Sequence, residues 1–148
     1  MFVLIVGCGR AGAALAKNLM ATGHTVSVLD ESPDAHRLLD IGLEGNWEDA
    51  GGMFTVGTAL ETDALIEAGV EQADAFVAAT NGDNTNLVIA QIAQRRFNVK
   101  QVVVRVLDPN RAKWYGQQGL TTICPTQAGI DMLTAAVNDG AGSAAARA

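Results

Sequence analysis

At 148 residues the chain has the size of one ordinary domain, long enough to bury a core but too short to carry a separate substrate domain behind a full nucleotide-binding half. A formal charge of −6 and a pI near 4.7, with only ten lysines and arginines spread along the sequence, argue against the basic face that a nucleic-acid backbone or an anionic membrane surface demands. No apolar run approaches the roughly 18 residues of a membrane span, and no basic stretch precedes the first apolar run, so neither membrane insertion nor a signal peptide is expected.

The run Phe2-Val3-Leu4-Ile5-Val6 reads as a buried strand flowing directly into Gly7-Cys8-Gly9-Arg10-Ala11-Gly12. Ala11, Ala14, Leu15, Asn18 and Leu19 then recur at helical spacing, and Gly23 stops the helix. A second strand, Thr25 to Leu29, ends in the acid Asp30. Ser32-Pro33 supplies an N-cap and a first-turn proline for a short helix through Leu38 and Leu39. Gly42 to Gly52, with several glycines, Trp47 and three acids, reads as a loop excursion.

Met53 to Val56 is the third strand, and Thr58-Ala59-Leu60-Glu61 has the form of a capping box for a helix that Gly69 ends. Ala75 to Ala79 is the fourth strand, closed by Thr80-Asn81-Gly82-Asp83. The next helix presents Leu87, Ala90, Ile92 and Ala93. Gln101 to Leu107 is a valine-rich fifth strand, and Asp108-Pro109 caps a helix bearing Trp114 and Tyr115. Leu120 to Cys124 is a short sixth strand and Ala128 to Val137 a final helix. Residues 138–148 have nothing to bury and are expected to be a disordered tail or a cloning remnant.

This alternation, with right-handed crossovers, predicts a single α/β domain over residues 1–137: a Rossmann-type doubly wound parallel sheet in the order 3-2-1-4-5-6. A ligand is expected over the carboxyl ends of the first and fourth strands. Gly7 permits the tight turn, Gly9 lets a pyrophosphate approach the backbone, and Gly12 lets helix pack close to strand. The alternative is a plain strand-to-helix turn. Asp30 is placed to accept both hydroxyls of a ribose, which favours a free 2′-hydroxyl over a 2′-phosphate; otherwise it merely starts the next turn. Arg10 can fork onto phosphate oxygens or point to solvent.

Thr80, Asn81, Asp83, Asn84 and Asn86 either serve the second half of the ligand or cap the helix that follows. Arg105, inside an apolar strand, calls for an anion within the chain or across a dimer. Trp114 and Tyr115 pack against the sheet or in a subunit interface. Cys8 and Cys124 lack a CxxC neighbour and His24 and His36 stand singly, so neither a disulfide framework nor a metal site is expected. No Tyr-x-x-x-Lys pair, GxSxG elbow or Walker lysine is present, and no active site is visible.

Together, GCGRAG, the Asp30 strand end, VGTALETDALIEAGVEQADAFVAAT, GDNTNLVIAQIA, VVVRVLDPNRAKWYGQQGL and TTICPT resemble the KTN domain, also called the N-terminal RCK domain, of Trk-type potassium-uptake regulators (the TrkA-N family). The resemblance spans essentially residues 1–125. It implies a cytoplasmic regulatory protein, peripheral to the inner face of the membrane, that binds NAD(H) or an adenine nucleotide (ATP, ADP or AMP). Such a protein assembles as homodimers into a ring and transmits ligand state to a membrane potassium transporter or channel subunit. By resemblance the pocket is lined by Gly7, Cys8, Gly9, Arg10, Ala11, Gly12, Asp30, Glu31, Gly57, Thr58, Ala79, Thr80, Asn81, Asn84 and Asn86, while Arg105 reaches a phosphate near the dimer interface. Many relatives carry Gly-Asp after the third strand, the acid contacting adenine, where this chain has Gly57-Thr58. The family's C-terminal ligand-sensing domain does not follow within these residues, so a separate partner chain, such as a second protein of the same kind, is expected to complete assembly. An oxidoreductase subunit completed by a partner, and a structural assembly module with an empty pocket, are the competing expectations.

Overall fold

A computed structural model describes the backbone of residues 1–147 and the side chains of residues 1–141. In chain order the elements are β1 (Phe2–Val6), α1 (Arg10–Ala21), β2 (Thr25–Asp30), a 3-10 turn (Pro33–His36) continuing into α2 (Arg37–Asp40), β3 (Met53–Val56) and α3 (Thr62–Glu67). After a second 3-10 turn (Val70–Gln72) follow β4 (Ala75–Ala78), α4 (Asp83–Arg95), β5 (Gln101–Arg105), α5 (Pro109–Gln117), β6 (Thr121–Ile123) and α6 (Pro125–Arg147). The six strands form one sheet in the order β3-β2-β1-β4-β5-β6, and every pairing is parallel. The expected Rossmann-type topology is therefore the observed one.

β1 lies centrally and divides its side chains by the strand period of two. Leu4 and Val6 face a core with Leu29, Leu65, Val70, Phe76, Ile89 and Val104, while Val3 and Ile5 face a second core with Val26, Val28, Leu39 and Trp47. Both faces are covered by helices, which is why the inner strands read as unbroken apolar runs. The order reverses between β1 and β4, and that switch point opens a crevice at the strand carboxyl ends.

Several local expectations are corrected. The Thr58–Glu61 capping box does not form: α3 starts at Thr62, its N-cap Glu61 makes no side-chain cap bond, and Thr58 instead accepts the Glu61 amide on its backbone carbonyl at 3.0 Å. A hydrogen-bonded turn thus takes up the residues that the box would have used. Ser32 stands at the N-cap with Pro33 following, as expected, but makes no side-chain cap bond; its amide donates to the Asp30 carboxylate, and the helix after it opens as a 3-10 turn. β4 ends at Ala78 and β5 at Arg105, one and two residues earlier than expected, where the chain leaves the sheet to line or buttress the crevice. The expected cap at Asp108 is present, its carboxylate accepting from the amides of Asn110 and Arg111.

α6 starts at Pro125 and continues to Arg147, so the expected limits of Ala128 and Val137 are both too short. It exposes Ile130, Met132, Leu133 and Val137. Ala148 lies outside the described residues.

The Gly42–Gly52 excursion is more than a surface loop. Trp47 is fully buried, its indole N–H donating to the Met53 carbonyl at 2.9 Å, and a Cβ on Gly52 would lie 2.1 Å from the indole. Asp40 accepts the Trp47 amide at 2.8 Å, and His36 stands between Asp40 (Nδ1 to Oδ2, 3.3 Å) and Glu48 (Nε2 to Oε1, 2.6 Å). The two carboxylates lie on opposite ring nitrogens of His36, forming a bridge between α2 and the excursion. It pins the excursion beside the turn that flanks the crevice.

Candidate functional site

The crevice holds a cavity of about 500 Å³, within the range of small-molecule sites. Its floor is Val6, Gly7, Cys8 and Gly9, one wall is Leu29, Asp30, Glu31, Ser32 and Ala35, and a second is Gly57, Thr58, Ala59 and Leu60. The third wall is the β4–α4 loop with Ala79, Thr80, Asn81, Gly82 and Thr85.

The β1–α1 turn is fixed by its two outer glycines. Gly7 has φ +107° and a Cβ there would sit 2.6 Å from the Ala79 carbonyl oxygen; a Cβ on Gly12 would sit 1.8 Å from the Gly7 oxygen. Gly9 differs. Its backbone is extended (φ −80°, ψ −164°), and a Cβ would meet nothing within 4 Å. A glycine here is not required by the protein's own packing, and the space it leaves is part of the cavity. Gly9 is also the N-cap of α1 and provides no side-chain cap, so the first-turn amides and the positive end of the helix dipole remain for a ligand.

Asp30 is held from both sides, Oδ2 accepting the Cys8 amide at 2.7 Å and Oδ1 the Ser32 amide at 2.8 Å. It organises the turn and still presents carboxylate lone pairs at the cavity. The Cys8 thiol donates to the Ala35 carbonyl at 3.3 Å; burial chiefly, with the Asp30 charge, outweighs the effect of Lys17 and pushes it up to about 11. At neutral pH it is a protonated small side chain. Among the described residues the charged groups lining the cavity are Asp30 and Glu31, so the positive potential within the lining comes from backbone amides and the helix dipole.

Gly7, Cys8, Gly9, Asp30, Glu31, Gly57, Thr58, Ala79, Thr80 and Asn81 thus meet at one cavity. Arg10, Ala11 and Gly12 form the first turn of α1 beside it without lining it, Arg10 being exposed. Asn84, Asn86 and Arg105 stand behind the wall. The buried Asn86 accepts the Thr80 amide (2.9 Å) and hydroxyl (2.6 Å) on Oδ1 and donates through Nδ2 to the Thr80 and Arg105 carbonyls, both at 2.9 Å. Asn84 accepts from Arg111 Nη2 at 2.6 Å, and Asp83 receives the amides of Leu107 (2.7 Å) and Asp108 (3.1 Å). Arg105 Nη2 donates to the Thr80 carbonyl (2.6 Å) and to Asn81 Oδ1 (3.1 Å).

Lining residues absent from the sequence expectation include Val6 and Leu29, whose signal was available as the last apolar positions of β1 and β2. Ala59 and Leu60 were hidden by the capping-box pattern, and Gly82 and Thr85 by assignment of their segment to helix capping.

Residues 3–125 match the TrkA-N domain family. The Trk system potassium uptake protein TrkA of Streptomyces coelicolor is 39% identical over 133 residues, covering 90% of this chain and 56% of that protein. The chain spans about half or less of the length of the curated relatives it matches. Among solved structures, the Kef C-terminal domain of Shewanella denitrificans in its AMP-bound form has a TM-score of 0.71 at 25% identity, covering 99% of this chain and 92% of that one. GsuK bound to ADP gives 0.71 at 20% identity, covering 90% of this chain and 32% of that one, a likeness of fold. With the family matched across more than three-quarters of its length, the chain belongs to the TrkA-N domain family.

Proposed function

We propose that this chain is the nucleotide-sensing domain of a Trk-type potassium-uptake system, binding NAD(H) or an adenine nucleotide (ATP, ADP or AMP) and reporting its occupancy to a membrane potassium transporter or channel subunit. The carrying observation is the open Gly9 turn: an uncapped helix start faces a cavity of about 500 Å³ beside a fixed carboxylate. Diphosphate sits on the amides of that turn and Asp30 takes the ribose hydroxyls. Support comes from a TrkA relative and from solved structures of the same fold holding AMP and ADP. In this reading the domain senses its ligand and does not transform it; among the described residues the cavity is lined by no lysine, histidine or tyrosine.

Residues 1–137 act as the sensing domain, and the apolar residues that α6 exposes, with Trp114 of α5, serve self-association as a dimer or ring. Ligand shifts the balance between arrangements of paired domains only by its differential affinity for them. Among the described residues no helix is long and apolar enough to cross a membrane, and the domain works in the cytoplasm, held at the membrane by its transporter partner.

Thermal melts with AMP, ADP, ATP, NAD⁺, NADH and NADPH test the proposal. A ligand at a hundredfold excess over its dissociation constant contributes about 2.7 kcal/mol, which for a domain of this size raises Tm by roughly 5–10 °C. Stabilisation by at least one adenine nucleotide, without hydride turnover of carbonyl substrates, is expected. A flat response to all six favours a structural module, and robust turnover favours an oxidoreductase subunit.

A further inference from the structure

Arg105 is conspicuous because it neither lines the cavity nor satisfies all its own donors: its Nε is buried without a hydrogen-bond partner among the described residues. An orphaned buried donor of that kind is destabilising, so the side chain is not there for its own stabilisation. Its Nη2 instead holds two oxygens of the β4–α4 loop, the Thr80 carbonyl and Asn81 Oδ1. A guanidinium can only donate, so the Asn81 atom facing it must be the oxygen. The side-chain polar group left to Asn81, which lines the cavity, is then its NH₂.

The neighbouring residue makes that donor matter. Thr80 has its amide, hydroxyl and carbonyl engaged by Asn86 and Arg105, leaving Asn81 as the first side-chain donor along this wall. Across the cavity stand Asp30 and Glu31, which accept and repel phosphate.

We propose that Arg105 is a positioning residue that acts through Asn81, fixing its amide so that the NH₂ donates to a phosphate oxygen of the bound nucleotide. Arg105 itself does not touch the phosphate. The inference rests on the nucleotide reading above and adds the donor on the wall opposite the acids.

Calorimetry with ADP on the full chain, comparing wild type with Asn81→Ala, Asn81→Asp, Arg105→Ala and the Asn81→Ala/Arg105→Ala pair, tests it. Each alanine variant should lose about tenfold in affinity, as for one hydrogen bond to a charged group, and the double variant no more than the weaker-binding single variant. Asn81→Asp keeps a partner for Arg105 and hence the loop and its Tm, but offers only acceptors; it should bind at least tenfold more weakly. Affinity losses that multiply in the double variant, or wild-type affinity in Asn81→Asp, overturn the proposal. Should Arg105→Ala not fold, the two variants of the exposed Asn81 still decide it. Absence of ADP binding by the wild type overturns this inference and leaves the nucleotide reading to AMP, ATP, NAD⁺, NADH and NADPH, whose joint failure refutes it, whereas ADP binding that is indifferent to Asn81 refutes this inference alone.

Discussion

Replacing Gly9 separates what the turn needs for folding from what it needs for binding. Gly9 adopts an extended backbone open to any residue, and a Cβ there has nothing within 4 Å, so Gly9→Val creates no clash within the protein. Losing glycine at an N-cap costs up to about 1 kcal/mol, and the reduced freedom of the unfolded chain returns about 0.4–1 kcal/mol. The net is close to zero, and Tm should move by no more than about 3 °C. The valine side chain, however, enters the space through which a phosphate must pass to reach the amides of α1. Removal of one charge-assisted hydrogen bond is worth about 1.5–3 kcal/mol, which corresponds to roughly a 10- to 100-fold loss of nucleotide affinity. Gly12→Ala is the opposite case. Its Cβ would lie 1.8 Å from the Gly7 carbonyl oxygen, so helix and turn must separate and the protein should melt well below the wild type. Calorimetry with ADP and thermal melts on the same preparations read both quantities. Wild-type affinity in a folded Gly9→Val protein refutes the placement of phosphate on this turn, and a large drop in its Tm refutes the claim that this glycine is spared by packing.

Arg10→Ala, at the exposed first position of α1, should weaken ATP severalfold and AMP much less, because only the longer phosphate chain reaches past the turn; equal losses in calorimetry remove that role. Iodoacetamide at pH 8 should modify the half-buried Cys124 and spare Cys8, giving one adduct by intact mass, and rapid double labelling contradicts the buried, protonated thiol. Because the folded Cys8 keeps its proton up to about 11 against an ordinary 9.0, its contribution to stability is intact below pH 9 and is lost as pH rises from there towards 11; a Cys8→Ala variant should lack this increment in urea melts. Trp47→Phe removes the donor that satisfies the Met53 carbonyl and leaves a void, so it should cost about 1–3 kcal/mol in urea unfolding; a change below about 0.5 kcal/mol contradicts the role of the excursion as part of the core.

Sheet order and crevice were legible because they follow from period-two strands, helical crossovers and the glycine turn, each a local pattern with a global consequence. The walls were less so. Thr58-Ala59-Leu60-Glu61 carries a genuine capping-box pattern, yet a turn between Thr58 and Glu61 delays the helix and turns Ala59 and Leu60 into pocket lining. Local pattern cannot report which of two hydrogen-bond solutions the rest of the chain favours. Trp47 looked like a loop residue because its core partners, Leu39 and Val28, lie on other elements. Arg105 announced a need for an acceptor, but the acceptors are a carbonyl and an amide oxygen from a loop 24 and 25 residues earlier. Sequence spacing could not name them. Asn86 was legible as polar and near the site, while its role as a buried cross-link between Thr80 and β5 required the register of β4 on β5.

A crystal structure of the protein grown with ADP locates the phosphates relative to the turn after β1. Diphosphate oxygens are expected within hydrogen-bonding distance of the amides in the turn after β1, with the ribose on Asp30. Diphosphate bound elsewhere, or a turn closed by its own side chains in the presence of saturating nucleotide, contradicts that placement.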